Sequence, residues 1–268
     1  MSAAWWSPVA PCTPQACVAG GVPSVGPPRR LVRYAAGLAV LLAGLAVSVP
    51  AGRWCRPARR DALIRWGVRA VVAAFGVRVV MPPKPERRSA GVLVVSNHVS
   101  WLDILLVAAV CPGRMLAKRE VAAWPLVGRL AVRGGTLFID RERIRALPGT
   151  VAEIAGALRS GATVVAFPEG STWCGREEGR FRPAVFQAAL DAGVPVRPVA
   201  IRYRLAGGEP TTAAAFVGDD TLLASLRRVV ATRGLIAEVT VDQEIPVGAY
   251  ADRRALARAV RRAPASRP

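Results

Sequence analysis

Residues 91–103, GVLVVSNHVSWLD, constrain the chain more than any other stretch. Residues 91–95 form an apolar run rich in β-branched side chains. The run ends at Ser96-Asn97, and a polar step at Ser100 leads through Asp103 into the apolar residues 104–110. The pattern predicts a buried strand, a turn and the first turn of a helix. His98, in the turn, is the single histidine of the chain. An imidazole titrates near neutral pH, so its neutral form can accept a proton from a hydroxyl. A carboxylate on the next helical turn can hold the other ring nitrogen and stabilise the imidazolium that forms. A plainer reading fits the same residues: a turn histidine, with Asp103 as the third residue of a capping box begun by Ser100.

Further along, the chain alternates strand-like and helix-like segments. Residues 114–118 (RMLAK) read as a strand ending on Lys118. Residues 124–130 are an amphipathic apolar stretch, and 136–139 are a strand with Asp140-Arg141 at its end, where α/β sheets collect ligands. The planar fork of Arg141 suits phosphate, and it equally suits a pairing with Asp140, Glu142 or Glu178. Residues 149–160 predict an amphipathic helix stopped by Gly161. A buried strand at 163–167 runs into Pro168-Glu169-Gly170-Ser171-Thr172. There a glutamate at the mouth of the sheet can accept hydrogen bonds from a substrate hydroxyl. Gly170 lets a substrate approach the backbone, whose N–H groups can face an oxyanion; a Pro-Glu-Gly turn closing a strand describes the same geometry without that job. A helix is expected at 182–192 and an apolar strand at 194–201. Two more strands, at 213–217 and 235–245, should flank a helix at 221–231, and a basic helix follows at 250–263.

Four of these segments together resemble the glycerolipid acyltransferases, the family of bacterial 1-acylglycerol-3-phosphate acyltransferases. They are Asn97-His98-x-Ser100-x-x-Asp103, residues 134–143 (GGTLFIDRER), residues 167–172 (FPEGST) and residues 194–201 (VPVRPVAI). The resemblance covers roughly residues 60–245, with the segments in the family's order. It implies His98 as general base and Asp103 as the group that orients it. It also implies a substrate-binding set of Glu169, Gly170, Ser171, Thr172, Arg141 and Lys118, the last near the acceptor phosphate. Phosphatidic-acid-forming members usually carry Arg two positions after the glycine, where this chain has Thr172. Threonine at that place is similar to the ornithine-lipid branch of the family, and it puts a glycerol-3-phosphate head group in question. Arg176, Arg180 or Arg182 could supply the charge instead.

Composition bounds the partners. The formal charge is +19, from 37 Lys and Arg against 18 Asp and Glu, with 52% apolar residues. Such a surplus attracts polyanions. No zinc-finger spacing, RNP-like sequence or basic coiled coil accompanies it, so anionic membrane is expected rather than nucleic acid. The five cysteines (Cys12, Cys17, Cys55, Cys111, Cys174) are an odd number without metal-type spacing. They predict reduced thiols and no metal.

The expected fold is α/β, a mostly parallel sheet flanked by helices, preceded by an N-terminal membrane-binding helical segment. Residues 1–28, rich in Pro, Gly, Ser and Ala, are expected to be disordered. Residues 29–77 should supply membrane-associating helices, broken at Pro50-Ala51-Gly52, either as a hairpin in one leaflet or as one span followed by an amphipathic helix. The acyltransferase domain is expected at 78–249, and a basic helix and tail at 250–268. The expected reaction moves an acyl chain from acyl-CoA or acyl-carrier protein to the free hydroxyl of a lysophospholipid, on the cytoplasmic face of the cell membrane. The first acceptor is 1-acyl-sn-glycerol-3-phosphate and the alternative is lyso-ornithine lipid. A thioesterase and a non-enzymatic membrane-binding protein are the rival classes. No cofactor is expected. No acyl-enzyme is expected either, because Ser100 lies in a turn without the nucleophile-elbow context.

Overall fold

The computed structural model describes residues 9–18, 20–54, 56–81, 89–124, 127–140 and 143–263. Seven strands form one sheet: β1 (Arg78–Val80), β2 (Val92–Ser96), β3 (Arg114–Lys118), β4 (Leu137–Ile139), β5 (Thr163–Ala166), β6 (Val196–Arg204) and β7 (Ile236–Val241). Their order is β1-β7-β6-β2-β5-β3-β4. The five strands from β6 to β4 are mutually parallel. β7 is antiparallel to β6 and β1 is parallel to β7, so these two run against the rest.

β2 is buried along its whole length because both of its faces are covered. Alternate residues serve opposite layers, as a period of two requires. Val92 and Val94 join a cluster with α3 (Pro57–Ala74) and α4 (Leu102–Val110) through Val72, Phe75, Leu102 and Leu106. Leu93 and Val95 join a second cluster with α6 (Leu147–Arg159), α7 (Ala184–Ala192) and α9 (Arg253–Arg261) through Ile154, Leu158, Phe186 and Leu256. The basic helix expected near the C-terminus is therefore seated. Asp252 caps α9 by accepting from Arg254 N and Ala255 N at 2.7 and 2.8 Å. Leu256, Ala257 and Val260 are buried, and Arg253, Arg254, Arg258 and Arg261 stay outside.

Three expectations need correction. Of the N-terminal segment, residues 1–8 and 19 lie outside the described residues, and residues 9–18 and 20–28 are ordered. It carries a single capped turn, α1 (Pro14–Cys17), and buries Cys12 and Val25. Val25 N donates to Ala231 O, and Arg233 N donates to Pro23 O, so backbone pairing replaces the disorder that its composition suggested. The helix after it, α2 (Pro27–Trp54), runs through Pro50 rather than breaking there. Finally, residues 213–217 are not a strand. Arg228, in α8 (Leu222–Ala231), donates to Ala213 O at 3.0 Å and Ala215 O at 2.5 Å, so a guanidinium satisfies carbonyls that a ladder would have used.

Within α2, residues Pro27–Val47 are long and apolar enough to cross a membrane, with mean hydropathy 1.6 and 11% of the window buried. At helical rise that stretch is about 31 Å long, close to the ~30 Å hydrocarbon core. The two helices are docked at their domain ends. Arg33 Nη1 donates to Val230 O at 2.6 Å and Thr232 O at 2.9 Å, at the end of α8. Gly37 lies so close to the Phe75 ring, just past the end of α3, that any Cβ at Gly37 would overlap it. Phe75 then meets Trp101 edge-to-face, with ring centroids 5.8 Å apart. Leu31, Leu38, Leu42 and Trp66 remain exposed on the pair.

Candidate active site

The parallel strands set the site's position before any side chain does. The ends of β2, β5, β3 and β4 lie on one edge of the sheet, so His98, Glu169, Lys118 and Asp140 share that edge. At the end of β2, Asn97 continues the ladder with its side chain. Its Nδ2 donates to Ile201 O at 2.9 Å and its Oδ1 accepts from Ile201 N at 2.8 Å. The chain then leaves the sheet at a fixed point, and His98 begins the turn.

His98 Nδ1 lies 3.0 Å from Asp103 Oδ2. The same oxygen accepts Val99 N at 2.6 Å and Ser100 N at 2.7 Å. One carboxylate oxygen of Asp103 thus meets both the turn that leads into α4 and the imidazole. Its other oxygen, Oδ1, accepts the hydroxyl of Tyr203 at 2.6 Å. Asp103 is fully buried. Tyr203 is buried too, and burial, with the charge of Asp103 beside it, holds its hydroxyl well above the ordinary phenol range, so it remains a donor. The imidazole stacks on Phe167 with centroids 4.1 Å apart and keeps 17% side-chain exposure. With Nδ1 committed to Asp103, Nε2 is the nitrogen available to a substrate.

Glu169 holds two backbone segments together. Its Oε2 accepts His98 N at 2.8 Å and its Oε1 accepts Gly179 N at 3.0 Å. The carboxyl group is 4% exposed and straps the histidine turn to the 172–180 loop. Burial pushes it up to about 8; the two N–H bonds oppose that, and the charges of Glu178 and Asp103 add to it. Trp173 N donates to His98 O at 2.7 Å, tying the same loop to the histidine again. Gly179 packs against Trp173 and Glu169 so closely that a Cβ there would overlap the indole nitrogen.

The remaining expected residues are placed as follows. Gly170 takes a left-handed conformation (φ +75°), and its N–H donates to Phe167 O at 3.1 Å. That N–H closes the turn instead of facing an oxyanion. Ser171 is half-buried beside it. Thr172 donates its hydroxyl to Phe216 O, so the residue at the place of the usual arginine is tied to backbone. Lys118 is exposed at the end of β3, two strand spacings from β2, or about 10 Å. Arg141 lies outside the described residues, and its neighbour Asp140 pairs with Arg143 at 3.6 Å.

The sequence reading missed Tyr203, Phe167 and Gly179. Tyr203 had a faint signal: it stands two residues after Ile201 in β6 and so shares its face. Gly179 had none, since its neighbours come from a loop contact.

The family model Acyltransferase matches residues 78–202. A lyso-ornithine lipid O-acyltransferase of Pseudomonas aeruginosa is 40% identical over 207 residues, 76% of this chain and 77% of that protein. A 1-acyl-sn-glycerol-3-phosphate acyltransferase of Neisseria meningitidis serogroup B is 38% identical over 186 residues, 69% of this chain and 72% of that one. The crystal structure of the 1-acyl-sn-glycerophosphate acyltransferase of Thermotoga maritima superposes with a TM-score of 0.62 at 17% identity, covering 87% of this chain and 90% of that one, and so shares the fold. With relatives this similar across more than two thirds of both chains, the protein belongs to the acyltransferase family.

Proposed function

We propose that the protein transfers a fatty acyl group from a thioester, acyl-CoA or acyl-carrier protein, to the free hydroxyl of a lysolipid at the cytoplasmic face of the membrane. The observation that carries this reading is the His98–Asp103 pair at 3.0 Å, with Tyr203 on the far carboxylate oxygen. His98 Nε2 takes the hydroxyl proton as the oxygen attacks the thioester carbonyl. The C–O bond forms, the C–S bond breaks, and the thiolate leaves with the proton from the imidazolium. Asp103 stabilises the cation that exists between these two events. Glu169 and Trp173 act as positioning residues that hold the histidine turn.

The first acceptor is 1-acyl-sn-glycerol-3-phosphate, its head bound by Arg141 and by Lys118 at the end of β3. Lyso-ornithine lipid is the second reading. It is favoured by Thr172, whose hydroxyl is tied to Phe216 O and leaves that position without a cation.

The two N-terminal helices carry the domain to its substrate. Both are docked at the domain, through Arg33 and through Phe75, α2 ending at Trp54 and α3 beginning at Pro57. This favours a hairpin entering one leaflet over a span, since both bases stay on one side.

The test is incubation of the purified protein with labelled acyl-CoA and a panel of lysolipids, with His98→Ala in parallel. Acyl transfer to a lysolipid that disappears in His98→Ala supports the reading. Thiol release without a lysolipid would make the protein a thioesterase, and comparable wild-type and mutant rates would remove His98 from the mechanism.

A further inference from the structure

The cysteines at positions 12, 17 and 174 are far apart in sequence and together in space. Their Sγ atoms all lie within 4.8 Å of one another. Cys12 and Cys174 are buried and Cys17 is half-buried. The local backbone builds the group. Thr13 caps the single turn of α1, accepting from Ala16 N, and its carbonyl accepts Cys17 N, which brings Cys17 round beside Cys12. On the other side, Gly175 takes φ +87°, so the chain turns directly after Cys174.

We propose that Cys12, Cys17 and Cys174 form a binding site for a soft, thiophilic d10 cation, with Zn2+ as the first candidate. In a tetrahedral zinc thiolate with bonds of about 2.3 Å, sulfurs stand roughly 3.8 Å apart, so the three need close by no more than about 1 Å. Among the described residues no histidine or carboxylate joins them, and a fourth position is left to water or a solute thiol. Cu+, which accepts three thiolates in a plane, has the same ligand chemistry. The ion would staple the N-terminal segment to the loop that holds the histidine. Cys174 follows Trp173, which donates to His98 O, and precedes Gly179, which donates to Glu169. The proposal does not depend on which acceptor the enzyme uses, or on its being an acyltransferase.

The experiment uses the full-length protein, purified in detergent without chelator. Metal content is measured by mass spectrometry, and the stripped protein is titrated with Co2+, Zn2+ and Cu+. Expected are one equivalent of Zn2+ or Cu+ per chain and a thiolate-to-cobalt charge-transfer band that Zn2+ removes. Competition with a zinc chelator and with a Cu+ chelator tells the two ions apart. Cys17→Ser, half-buried and tolerant, keeps the fold while its affinity falls by at least about tenfold, since losing even an outer-shell partner costs that much. Chelation should also expose residues 9–25 to protease. A folded protein with three titratable thiols and no charge-transfer band would overturn the proposal. So would a disulfide between two of the three, or a Cys17→Ser variant with unchanged cobalt affinity.

Discussion

Replacing Asp103 with asparagine separates what this carboxylate does by position from what it does by charge. Two backbone donors, Val99 N and Ser100 N, converge with His98 Nδ1 on Oδ2, and only Tyr203 meets Oδ1. The amide oxygen is therefore forced into the Oδ2 place, because the opposite orientation would set an NH2 group against two N–H donors. His98 keeps its tautomer and its ring position, and Tyr203 can turn to accept from the amide. What disappears is the negative charge facing the imidazolium. At 3.0 Å a unit pair is worth about 5 kcal/mol at an effective dielectric constant of ~20. The amide dipole retains part of this, leaving a loss of about 3–4 kcal/mol, or about 150- to 1,000-fold in kcat. The assay is thiol release from acyl-CoA with saturating lysolipid, alongside a melting curve to show that the variant is folded. A folded Asp103→Asn enzyme within about tenfold of wild type would refute electrostatic support of His98 by Asp103.

Tyr203→Phe removes one donor from a buried carboxylate without changing shape; a charged hydrogen bond of about 1.5–3 kcal/mol predicts a fall of about ten- to a hundredfold in kcat with KM little changed. Combined with Asp103→Asn the loss should be less than the product of the two, and a fully additive double variant would show that Tyr203 does not act through Asp103. Glu169 gives the protein a pH signature. Between the ordinary carboxyl value of 4.5 and about 8 the folded chain holds a proton that the unfolded chain releases. Stability should be greatest at the low end of that window and fall as pH rises through it, by at most about 1.4 kcal/mol per pH unit. Denaturant midpoints measured across the window should flatten in Glu169→Gln, and parallel slopes in the two proteins would assign the dependence to other groups.

The His98–Asp103 contact was legible because it is local: strand end, turn and first helical turn span residues 96–103, while the role proposed for the pair came from the resemblance of four segments to the family. The strands β2, β3 and β5 were legible for the same reason, each being a short apolar run with a defined end. What failed needed partners from elsewhere. Residues 213–217 look like a strand, but they form a turn and an irregular stretch whose carbonyls at Ala213 and Ala215 accept from Arg228. The N-terminal segment has the composition of a loose tail, but Ala231 and Arg233 supply backbone partners for it. Nothing in a Pro-Glu-Gly motif announces that the Glu169 carboxyl will accept His98 N and Gly179 N from two other segments. Cys12 and Cys174 are separated by most of the chain, so no spacing rule could join them.

The seam from Gly37 through Phe75 to Trp101 joins the greasy helix pair to the turn that follows His98. With the hairpin sunk in a leaflet, immersion depth sets the altitude of His98 above the lipid tails. A thinner or thicker bilayer would detune the rate without touching a single catalytic atom.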